Sequence, residues 1–467
     1  MLQLLRQRKT RWLALLLLLH VILLAASVDL AARLRFFNAP AGYAHFAIDL
    51  GVRAVLFALG LVAGMAALGL YNAHQRERWA GQMVRQLAGF TLGGTGLILV
   101  YYIFPPAYIG RGVLLIAVLL GFIAVALTRA LFLRLVDSEL LRRRILVWGA
   151  GERASSIPEK LRRRSDRRGF RVVGFVPLAH EPVVVPADRL LDPGSAPLLD
   201  WLRHLDIDEI VVGVDDRRRG PSMMQLLECR LAGIPVIELP TFFERESGRV
   251  ELRLVDPSWL VYAEGFDASP SGRAFKRAFD LGFGLLALAL TWPLMLAVAL
   301  AIRLESGPGR PILYRQERVG LAGRTFMLVK FRSMRIDAEG DGVARWASRD
   351  DDRVTRVGRF IRKTRLDELP QLVNILRGDM SLVGPRPERP QFVAELASQI
   401  RYYDLRHCVK PGLAGWAQLR YPYGASAAEA AGKLEYDLYY VKNHDLLMDL
   451  LILLQTVEVV LFGRGAR

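Results

Sequence analysis

The N-terminal third of the chain alternates long apolar stretches with short polar ones. The apolar stretches cover residues 12–30, 46–71, 87–104 and 113–135. A helix needs about 20 residues to cross a bilayer, and each stretch approaches or exceeds that length. They lack the polar face of a helix in a soluble bundle, which is the alternative interpretation. The pattern therefore predicts a domain of four transmembrane helices over residues 1–141.

Basic residues lie unevenly around these stretches and predict their orientation. They gather before the first stretch, between the second and third, and after the fourth, namely Arg6, Arg8, Lys9, Arg11, Arg76, Arg78, Arg85, Arg142, Arg143 and Arg144. Arg33 and Arg35 oppose this pattern and are outnumbered. Because basic loops stay in the cytoplasm, we expect the chain to start in the cytosol and to return there after about residue 142.

A pattern typical of a dinucleotide-binding fold follows the fourth stretch. RILVWGAGERA indicates a buried strand and a turn into a helix, with Gly149, Gly151 and Ala154 at G-x-G-x-x-A spacing. FRVVGFVP and IDEIVVGVDD indicate further parallel strands. We expect a Rossmann-like α/β domain over residues 142–265. The basic stretch KLRRRSDRRGF stands where an acidic ribose-binding residue is expected, so a degenerate fold without a dinucleotide is the alternative, and no cofactor-binding residue is assigned.

A fifth apolar stretch, residues 281–302, has basic residues on both sides, Arg273, Lys276 and Arg277 before it and Arg303, Arg310 and Arg315 after it. The positive-inside preference favours the cytosol for both ends. Pro293, in the middle, removes a helical hydrogen bond and kinks a helix. We therefore predict a re-entrant helix over about residues 280–303, bent at Trp292–Pro293, rather than a full crossing. The apolar tail HDLLMDLLILLQTVEVVLFG either lies along the membrane interface or packs on the domain.

The composition agrees with a membrane protein that meets anionic partners. Of its 467 residues 52% are hydrophobic, the mean hydropathy is +0.24, and the formal net charge is +17. Such an excess of positive charge suits nucleic acid, anionic lipid or phosphorylated substrates. No nucleic-acid recognition motif accompanies the apolar stretches, so a nucleic-acid partner is not expected. Cys229 and Cys408 have neither metal-ligand nor disulfide spacing, which fits a reducing compartment.

The stretch TRLDELPQL places two adjacent acids, Asp367 and Glu368, among basic residues. Residues 369–376 show the spacing of an amphipathic helix, so Asp367 is expected at or next to its N-cap. One interpretation is a cap, which stabilises a helix by about 1 kcal/mol. The other is a nucleophile, kept ionised by the helix dipole and nearby cations, that attacks phosphorus. Glu368 would then assist proton transfer or share Mg²⁺ with a diphosphate.

Basic motifs surround this acidic pair in the sequence. Their candidate anion-binding residues are Arg315 and Arg318 in YRQERVG, Lys330 and Arg332 in VKFRSM, Arg386 in GPRPER, and Lys410 in RHCVKPG. Taken singly, each charge is typical of a solvated face. Taken together they indicate a phosphorylated substrate, because Arg and Lys stabilise a transferring phosphoryl group. Arg386 lies between two prolines, on a loop stiff enough to aim its guanidinium.

Five stretches in the C-terminal part, taken in order, carry a family resemblance: FKRAFDLGFGLL, YRQERVG, VKFRSMRIDAE, RVTRVGRFIRKTRLDELPQLVNILRGDMSLVGPRPE and RHCVKPGLAGWAQ. Residues 273–467 thereby resemble the bacterial sugar transferases, monotopic phosphoglycosyl transferases that act on polyprenyl phosphates. Four apolar stretches followed by a Rossmann-like segment are similar to the long form of the family. The ending YDLYYVKNHDLLMDLLILLQTVEVVLFGRGAR is similar to the exopolysaccharide branch linked to exosortase (PEP-CTERM) systems.

The resemblance implies a membrane α plus α/β protein with an α-rich catalytic domain over residues 273–467, on the cytoplasmic face of the bacterial plasma membrane. It implies transfer of a sugar-1-phosphate from a UDP-sugar to undecaprenyl phosphate, with release of UMP, a requirement for Mg²⁺ and a homodimer. Asp367 would be the nucleophile, Asp367 and Glu368 would be metal ligands, and Arg386 would contact the nucleotide or its phosphates. Lys276 and Arg277 would lie where the lipid phosphate arrives.

Two other functions are open to a chain of this kind. A membrane-anchored nucleotide sensor or scaffold of polysaccharide assembly would use the Rossmann-like part without transferase activity. The Asp367–Glu368 pair and Arg386 count against it. A sugar-nucleotide epimerase needs a Tyr-x-x-x-Lys pair near the glycine-rich turn, and residues 149–265 contain none. The sequence does not identify the sugar.

Overall fold

The chain divides into two compact units, Met1–Ser247 and Gly248–Arg467. The structure, a computed structural model, describes residues 8–71, 79–136, 142–161, 169–194, 197–216, 222–263, 265–266, 269–336, 353–421 and 426–462.

The first unit starts with the predicted apolar stretches, which are all helical. Its helices are α1 (Arg8–Arg35), α2 (Pro40–Ala47), α3 (Leu50–Ala67), α4 (Trp79–Ile103) and α5 (Arg111–Val136). The short α2 was not predicted. Helix α1 packs against α3 and α5, and α3 packs against α4. The last pair approaches so closely that a Cβ on Gly64 would lie 2.4 Å from the backbone nitrogen of Gly93.

The remainder of the first unit is the predicted Rossmann-like arrangement. Its elements are β1 (Arg143–Trp148), α6 (Glu152–Lys160), β2 (Phe170–Val176), α7 (Leu198–His204), β3 (Glu209–Val212), α8 (Met223–Leu231), β4 (Val236–Glu238) and α9 (Leu239–Ser247). The strands form one parallel sheet in the order β2-β1-β3-β4. The three strands expected from the sequence are therefore β1, β2 and β3.

A carboxylate of the protein itself occupies the start of α6, where a dinucleotide fold binds phosphate. Asp215 accepts hydrogen bonds from the backbone N–H groups of Glu152, at 3.0 Å, and Arg153, at 2.8 Å. Gly151 makes this approach possible, because a Cβ there would lie 2.0 Å from Asp215 Oδ2. Two amides that would otherwise meet a phosphate thus already have an anionic partner within the chain.

The second unit contains the acidic pair. Its elements are α10 (Pro257–Tyr262), α11 (Pro270–Ser306), β5 (Leu313–Val319), β6 (Thr325–Phe331), α12 (Arg356–Lys363), α13 (Gln371–Arg377), β7 (Ser381–Val383), α14 (Pro390–Gln399), β8 (Gly412–Ala414), α15 (Trp416–Arg420), α16 (Ala427–Asn443) and α17 (Leu446–Phe462). Strands β5 and β6 form an antiparallel hairpin, and β7 pairs with β8 in parallel. Residues 248–263 belong to this unit, since Val250, Val255 and Trp259 share a core with α14 and α16.

Helix α11 is the long apolar helix that contains Pro293. Its first half contacts α13 and β7, while its second half packs Val298 and Ile302 against Phe331 of β6 and Ile361 of α12. Together with α1, α3, α4 and α5 it makes five helices, among the described residues, that are long and apolar enough to cross a membrane. Only 11% of its apolar window is buried, against 28–39% for the other four.

The apolar tail forms α17, which packs on the domain. Asp449 is fully buried and forms an ion pair with Lys276 at 2.6 Å. The hydroxyl of Tyr440 donates a hydrogen bond to the same carboxylate, at 2.8 Å. Ile452 is buried in a core that it shares with α13, β6 and β7. Of the two arrangements considered for the tail, packing against the domain is therefore the one observed.

Candidate active site

The acidic pair lies on a short turn between two helices. Helix α12 ends at Lys363, Leu366–Glu368 form a 3-10 turn, and α13 begins at Gln371 with Pro370 before it. The expectation that Asp367 lies at or next to the N-cap of this helix is thus wrong. Pro370 occupies the N-cap position of α13, Asp367 lies on the turn before it, and no side chain caps the helix. Arg365 reverses the chain with a φ of 60°, a left-handed conformation that costs a non-glycine residue about 1–2 kcal/mol.

Glu368 is held in place by two guanidinium groups. Its Oε1 accepts a hydrogen bond from Arg386 at 2.8 Å and lies 3.4 Å from Arg365. Burial alone would raise the pKa of Glu368, but the positive charges of Arg386, Arg365 and Lys330 together outweigh it. The pKa therefore lies below its ordinary value, and Glu368 is ionised at neutral pH.

Asp367 is buried, with 8% of its surface exposed. Burial and the negative charge of Glu368 raise the pKa of Asp367 to about 6, although Lys330, Arg386 and Arg365 act in the opposite direction. The cations therefore offset burial only in part. Asp367 is still largely ionised at neutral pH, and it is more basic than an exposed aspartate.

Lys330, on β6, contributes an ammonium group whose pKa is lowered by its surroundings. Burial and the neighbouring charge of Arg318 lower the pKa of Lys330 to about 8, while Asp367 acts to raise it. Its ammonium lies over the ring of Tyr314, 5.3 Å from the centroid. Lys330 and Arg386 therefore lie beside the acidic pair, and Arg318 lies beside Lys330.

Arg315 is not part of this group. In the β5–β6 hairpin Arg315 pairs with Val329, whereas Tyr314 pairs with Lys330. Because side chains alternate between the faces of a strand, Arg315 lies on the opposite face from Lys330 and Arg318. It is exposed. Arg315 and Arg318 are three positions apart, and an odd spacing puts two side chains on different faces of a regular strand.

The Pro-Arg-Pro loop that carries Arg386 is fastened from two directions. Arg318 Nη1 donates a hydrogen bond to the carbonyl of Pro387, at 2.9 Å. Arg406 Nη2 donates one to the carbonyl of Arg386, also at 2.9 Å, and pairs with Asp437 at 2.8 Å. Sequence reasoning missed Arg406 and Asp437. Arg406 lies in the recognised stretch RHCVKPG, so its motif was a signal, but Asp437 carried none.

Three other predicted substrate-binding residues form a separate group at the start of α11. Lys276 pairs with Asp449, and Arg277 donates hydrogen bonds to the carbonyls of Ile375, at 2.6 Å, and Leu376, at 2.7 Å. Lys410 is close enough that burial and the charge of Arg277 lower its pKa. Lys276 and Arg277 thus have structural partners, and their predicted contact with a lipid phosphate stays a prediction.

Arg332, the last predicted substrate-binding residue, lies at the other end of α11. It is buried, and its Nη2 donates a hydrogen bond to the hydroxyl of Ser306. Burial and the charge of Arg310 lower the pKa of Arg332, and Glu305 acts to raise it. These neighbours place Arg332 at the C-terminal end of α11, and the hydrogen bond described for it goes to Ser306 and not to the acidic pair.

The geometry around Asp367 suits a reaction at phosphorus. The described residues contain no cluster of three or more His, Cys, Asp or Glu side chains that could hold a metal unaided. An ionised, poorly hydrated carboxylate beside Lys330 and Arg386 can attack an electrophile whose negative charge those cations neutralise.

Comparison with known proteins supports this interpretation. The description "Bacterial sugar transferase" belongs to the family whose sequence profile matches residues 271–463. The chain is 42% identical over 294 residues to the UDP-N-acetylgalactosamine-undecaprenyl-phosphate N-acetylgalactosaminephosphotransferase of Aeromonas hydrophila. The aligned region covers 63% of this chain and 66% of that protein. It is 33% identical over 333 residues to the undecaprenyl-phosphate glucose phosphotransferase of Komagataeibacter xylinus, covering 70% of this chain and 60% of that protein.

A shorter relative is matched over more of its own length. The chain is 45% identical over 188 residues to the UDP-glucose:undecaprenyl-phosphate glucose-1-phosphate transferase of Caulobacter vibrioides, covering 40% of this chain and 69% of that protein. The chain thus spans less than two thirds of the first two relatives, at 66% and 60% of their lengths. The matched region contains Asp367, Glu368 and Arg386. On this shared sequence and on the arrangement of its acidic pair, the chain belongs to the bacterial sugar transferase family.

Proposed function

We propose that the protein transfers a sugar-1-phosphate from a UDP-sugar to undecaprenyl phosphate and releases UMP. The observation that carries the proposal is the buried carboxylate of Asp367, whose pKa of about 6 reflects burial and Glu368 against the pull of Lys330 and Arg386. The relatives, which are named as undecaprenyl-phosphate sugar phosphotransferases, support the substrate classes. We place the reaction at the first membrane step of exopolysaccharide synthesis.

The proposed reaction has two displacement steps. In the first, a carboxylate oxygen of Asp367 attacks the phosphorus that bears the sugar, the bond to the bridging diphosphate oxygen breaks, and UMP leaves. In the second, a phosphate oxygen of undecaprenyl phosphate attacks the same phosphorus and the acyl-phosphate bond breaks. This step frees the Asp367 carboxylate and yields a sugar linked to the lipid through a diphosphate. Lys330 and Arg386 stabilise the charge that develops on the phosphoryl oxygens.

Asp367 and Glu368 fit the Mg²⁺ that the family resemblance implies. Mg²⁺ in proteins usually keeps several waters and is bound by one or two carboxylates plus substrate phosphates, so a pair of acids suffices where a full protein cage is not built. When bound, Mg²⁺ would neutralise charge on the diphosphate. Glu368 is kept ionised by Arg386 and Arg365, and it therefore remains an acceptable oxygen ligand.

We propose that α11 is re-entrant and that the catalytic unit lies on the cytoplasmic face of the plasma membrane. Near its start, Asp280 accepts hydrogen bonds from the hydroxyl of Ser381, at 2.9 Å, and from the amide of Leu382, at 3.1 Å. Near its end, Val298 and Ile302 pack on β6 and α12 of the same compact unit. A crossing helix would separate its ends by about 30 Å of hydrocarbon, which is difficult to reconcile with one body that contacts both halves.

This topology is tested by cysteine labelling. The two cysteines are first removed by Cys229→Ser and Cys408→Ser, and the exposed Arg324 on the β5–β6 turn is changed to Cys. Spheroplasts, whose plasma membrane is intact, are then treated with a membrane-impermeant maleimide. We expect labelling only after the plasma membrane is permeabilised. Labelling of spheroplasts before permeabilisation would place the catalytic unit outside the plasma membrane and would contradict the re-entrant topology of α11.

The nucleophile is tested by trapping. Wild-type protein with a UDP-sugar labelled in the sugar-linked phosphate, without acceptor, should release one UMP per active site and retain label at Asp367. Asp367→Asn should do neither and remain folded. Asp404→Asn is the matched control, since its side chain is 78% exposed, and it should behave like the wild type. Label at another residue, or full activity of Asp367→Asn, would rule out the proposed chemistry.

A further inference from the structure

An apolar groove of about 460 Å³ runs between the second half of α11 and α12. Helix α11 contributes Leu294, Ala297, Val298 and Ala301 to its lining. This i, i+3, i+4, i+7 spacing defines a single face of a helix. The groove therefore follows α11 for about 10 Å, at 1.5 Å per residue.

The lining of the groove ends next to the acidic pair in the chain. Leu366 belongs to the lining and is the residue bonded to Asp367. The 3-10 turn Leu366–Glu368 thus contributes an apolar side chain to the groove and carries the proposed nucleophile at its next residue. An apolar chain bound in the groove therefore contacts a residue that is covalently joined to the proposed nucleophile.

The surroundings of the groove have the character of a membrane surface. Helix α12 carries basic side chains at Arg356, Arg359, Arg362 and Lys363, and its apolar Phe360 is 60% exposed while lining the groove. Basic helices with one apolar face lie at the boundary between lipid headgroups and acyl chains. The neighbouring surface of α11 also exposes apolar side chains, among them Leu296 and Leu300.

We propose that this groove binds the isoprenoid chain of the acceptor next to its phosphate. The inference rests on the proposed function, which supplies an acceptor whose phosphate must reach the phosphorus held on Asp367. A lining that is apolar except for Arg356 suits a chain without polar groups next to a charged head. The groove is too short for a whole polyprenyl chain, so it holds the proximal units and leaves the rest in the bilayer. Because Leu366 is bonded to Asp367, a chain that contacts Leu366 places its phosphate at the end of the groove nearest the nucleophile in sequence.

The test is to fill the groove. Ala297 is exposed within it, and an Ala297→Leu, Phe, Trp series occupies progressively more of its volume. Ala289→Trp, also exposed on α11 but outside the groove, is the matched control. The donor half of the reaction, UMP release without acceptor, needs no lipid and should be unchanged in all variants, which also shows that each is folded.

The acceptor half should respond to the series. We expect Ala297→Trp to raise the KM for undecaprenyl phosphate by at least about tenfold, a typical effect of a mismatch in an apolar pocket, with smaller effects for Leu and Phe. Ala289→Trp should leave it within twofold of the wild type, roughly the scatter of exposed substitutions. Equal KM values for Ala297→Trp and Ala289→Trp would overturn the proposal. So would a loss of co-purified phospholipid in Ala297→Trp with an unchanged acceptor KM, since the groove would then hold a structural lipid.

A photoreactive acceptor distinguishes failure of the groove from failure of the proposed function. A prenyl phosphate with a diazirine on its proximal isoprene unit should crosslink to residues 294–301 or 356–366, whether or not the protein turns over. Crosslinks confined to residues 285–290 of α11 would overturn the groove assignment. Absence of UMP release by the wild type with any UDP-sugar would instead refute the proposed function, even with crosslinks at the groove.

Discussion

Arg406 donates a hydrogen bond from Nη2 to the backbone carbonyl of Arg386, at 2.9 Å, and so fixes the loop that aims Arg386 at Glu368. The same guanidinium pairs with Asp437 and donates from Nη1 to the hydroxyl of Tyr403 at 2.7 Å. Arg406 is 6% exposed. Two prolines stiffen the loop, but its position is set by a buried cation from a different part of the chain.

Substitution of Arg406 by Lys should weaken donor binding. Lys keeps the charge that Asp437 needs, but one ammonium cannot reach Asp437, Tyr403 and the carbonyl of Arg386 in the planar fork of a guanidinium. Hydrogen bonds of charged groups contribute about 1.5–3 kcal/mol, so we expect the KM for the UDP-sugar to rise by about tenfold or more. Steady-state kinetics at fixed acceptor measure this change.

Arg401→Lys is the control for that substitution. Arg401 is exposed and lies over the ring of Tyr402, 4.6 Å from its centroid, so its replacement should alter neither KM nor thermal stability. If Arg406→Lys lowered the melting temperature and left the KM for the donor unchanged, the contact with Arg386 would have only a structural role.

The rate should depend on pH through Asp367 and Lys330. Catalysis needs Asp367 deprotonated and Lys330 protonated, and their pKa values are about 6 and about 8. We therefore expect kcat/KM for the UDP-sugar to fall below about pH 6 and above about pH 8. In Lys330→Arg the alkaline decline should disappear, because arginine stays protonated. A flat profile between pH 5 and 9 would contradict these roles.

Glu368→Gln should shift the acidic side of the profile to lower pH. The negative charge of Glu368 helps to raise the pKa of Asp367, so its removal lets Lys330 and Arg386 lower that pKa. Asp437 also has a pKa of about 6, which burial raises, but its main charged neighbours are Arg406, Glu388 and Lys433. A shift in Glu368→Gln therefore assigns the acidic limb to Asp367. An unchanged limb would assign it to another group.

Asp449→Ala should unfold the second unit more easily. The substitution removes the shorter ion pair of Lys276, which Asp449 contacts at 2.6 Å, and leaves only the longer one to Asp280 at 3.5 Å. Loss of one member of a buried pair typically costs about 3–5 kcal/mol, and the remaining pair with Asp280 lowers that cost. A lowered melting temperature in detergent measures the effect. Asp445→Ala, at an exposed position that caps α17 through the amide of Met448, should cost only about 1 kcal/mol.

The double variant Lys276→Met with Asp449→Leu separates the two roles of Lys276. Apolar replacement of a buried pair is often neutral or stabilising. Asp280 loses Lys276 as its partner at 3.5 Å. It keeps its hydrogen bonds from Ser381 and Leu382, so the melting temperature should recover in part. If Lys276 also meets the lipid phosphate, the KM for undecaprenyl phosphate should remain raised in this stable variant. A normal KM there would limit Lys276 to its ion pair.

In the first unit, Gly151→Ala should destabilise the α/β domain. The new Cβ would lie 2.0 Å from Asp215 Oδ2, so the carboxylate must withdraw from the amides of Glu152 and Arg153. Unsatisfied donors typically cost about 1–3 kcal/mol each. Gly94→Ala, with no atom within 4 Å of the added Cβ, is the matched control. Equal melting temperatures for the two variants would show that the contact contributes little.

Features encoded by neighbouring residues were predictable from the sequence. The apolar stretches became α1, α3, α4 and α5 because helix length and hydropathy are properties of continuous segments. The strands β1, β2 and β3 followed their apolar runs in the same way. The acidic pair needed no folding to come together, since Asp367 and Glu368 are adjacent.

Features that depend on the backbone conformation or on distant segments were predicted wrongly or not at all. Arg315 and Arg318 share a motif, yet the alternation of side chains in β5 puts them on opposite faces. The expected cap at Asp367 failed because the left-handed Arg365 starts a separate 3-10 turn before α13. Lys276, assigned to a phosphate by resemblance, forms an ion pair with Asp449 of α17, a contact between distant segments that the sequence did not indicate.

The sequence by itself determined the apolar and α/β segments, the acidic pair and the surplus of cations that the pair requires. These features depend only on periodicity and local composition, which are properties of continuous segments of the chain. Only the tertiary structure decided which cations serve the pair, how basic Asp367 is and how the tail is anchored. The physical reason is that burial and charge–charge energies depend on distances in space, and those distances are set by packing between segments far apart in the chain.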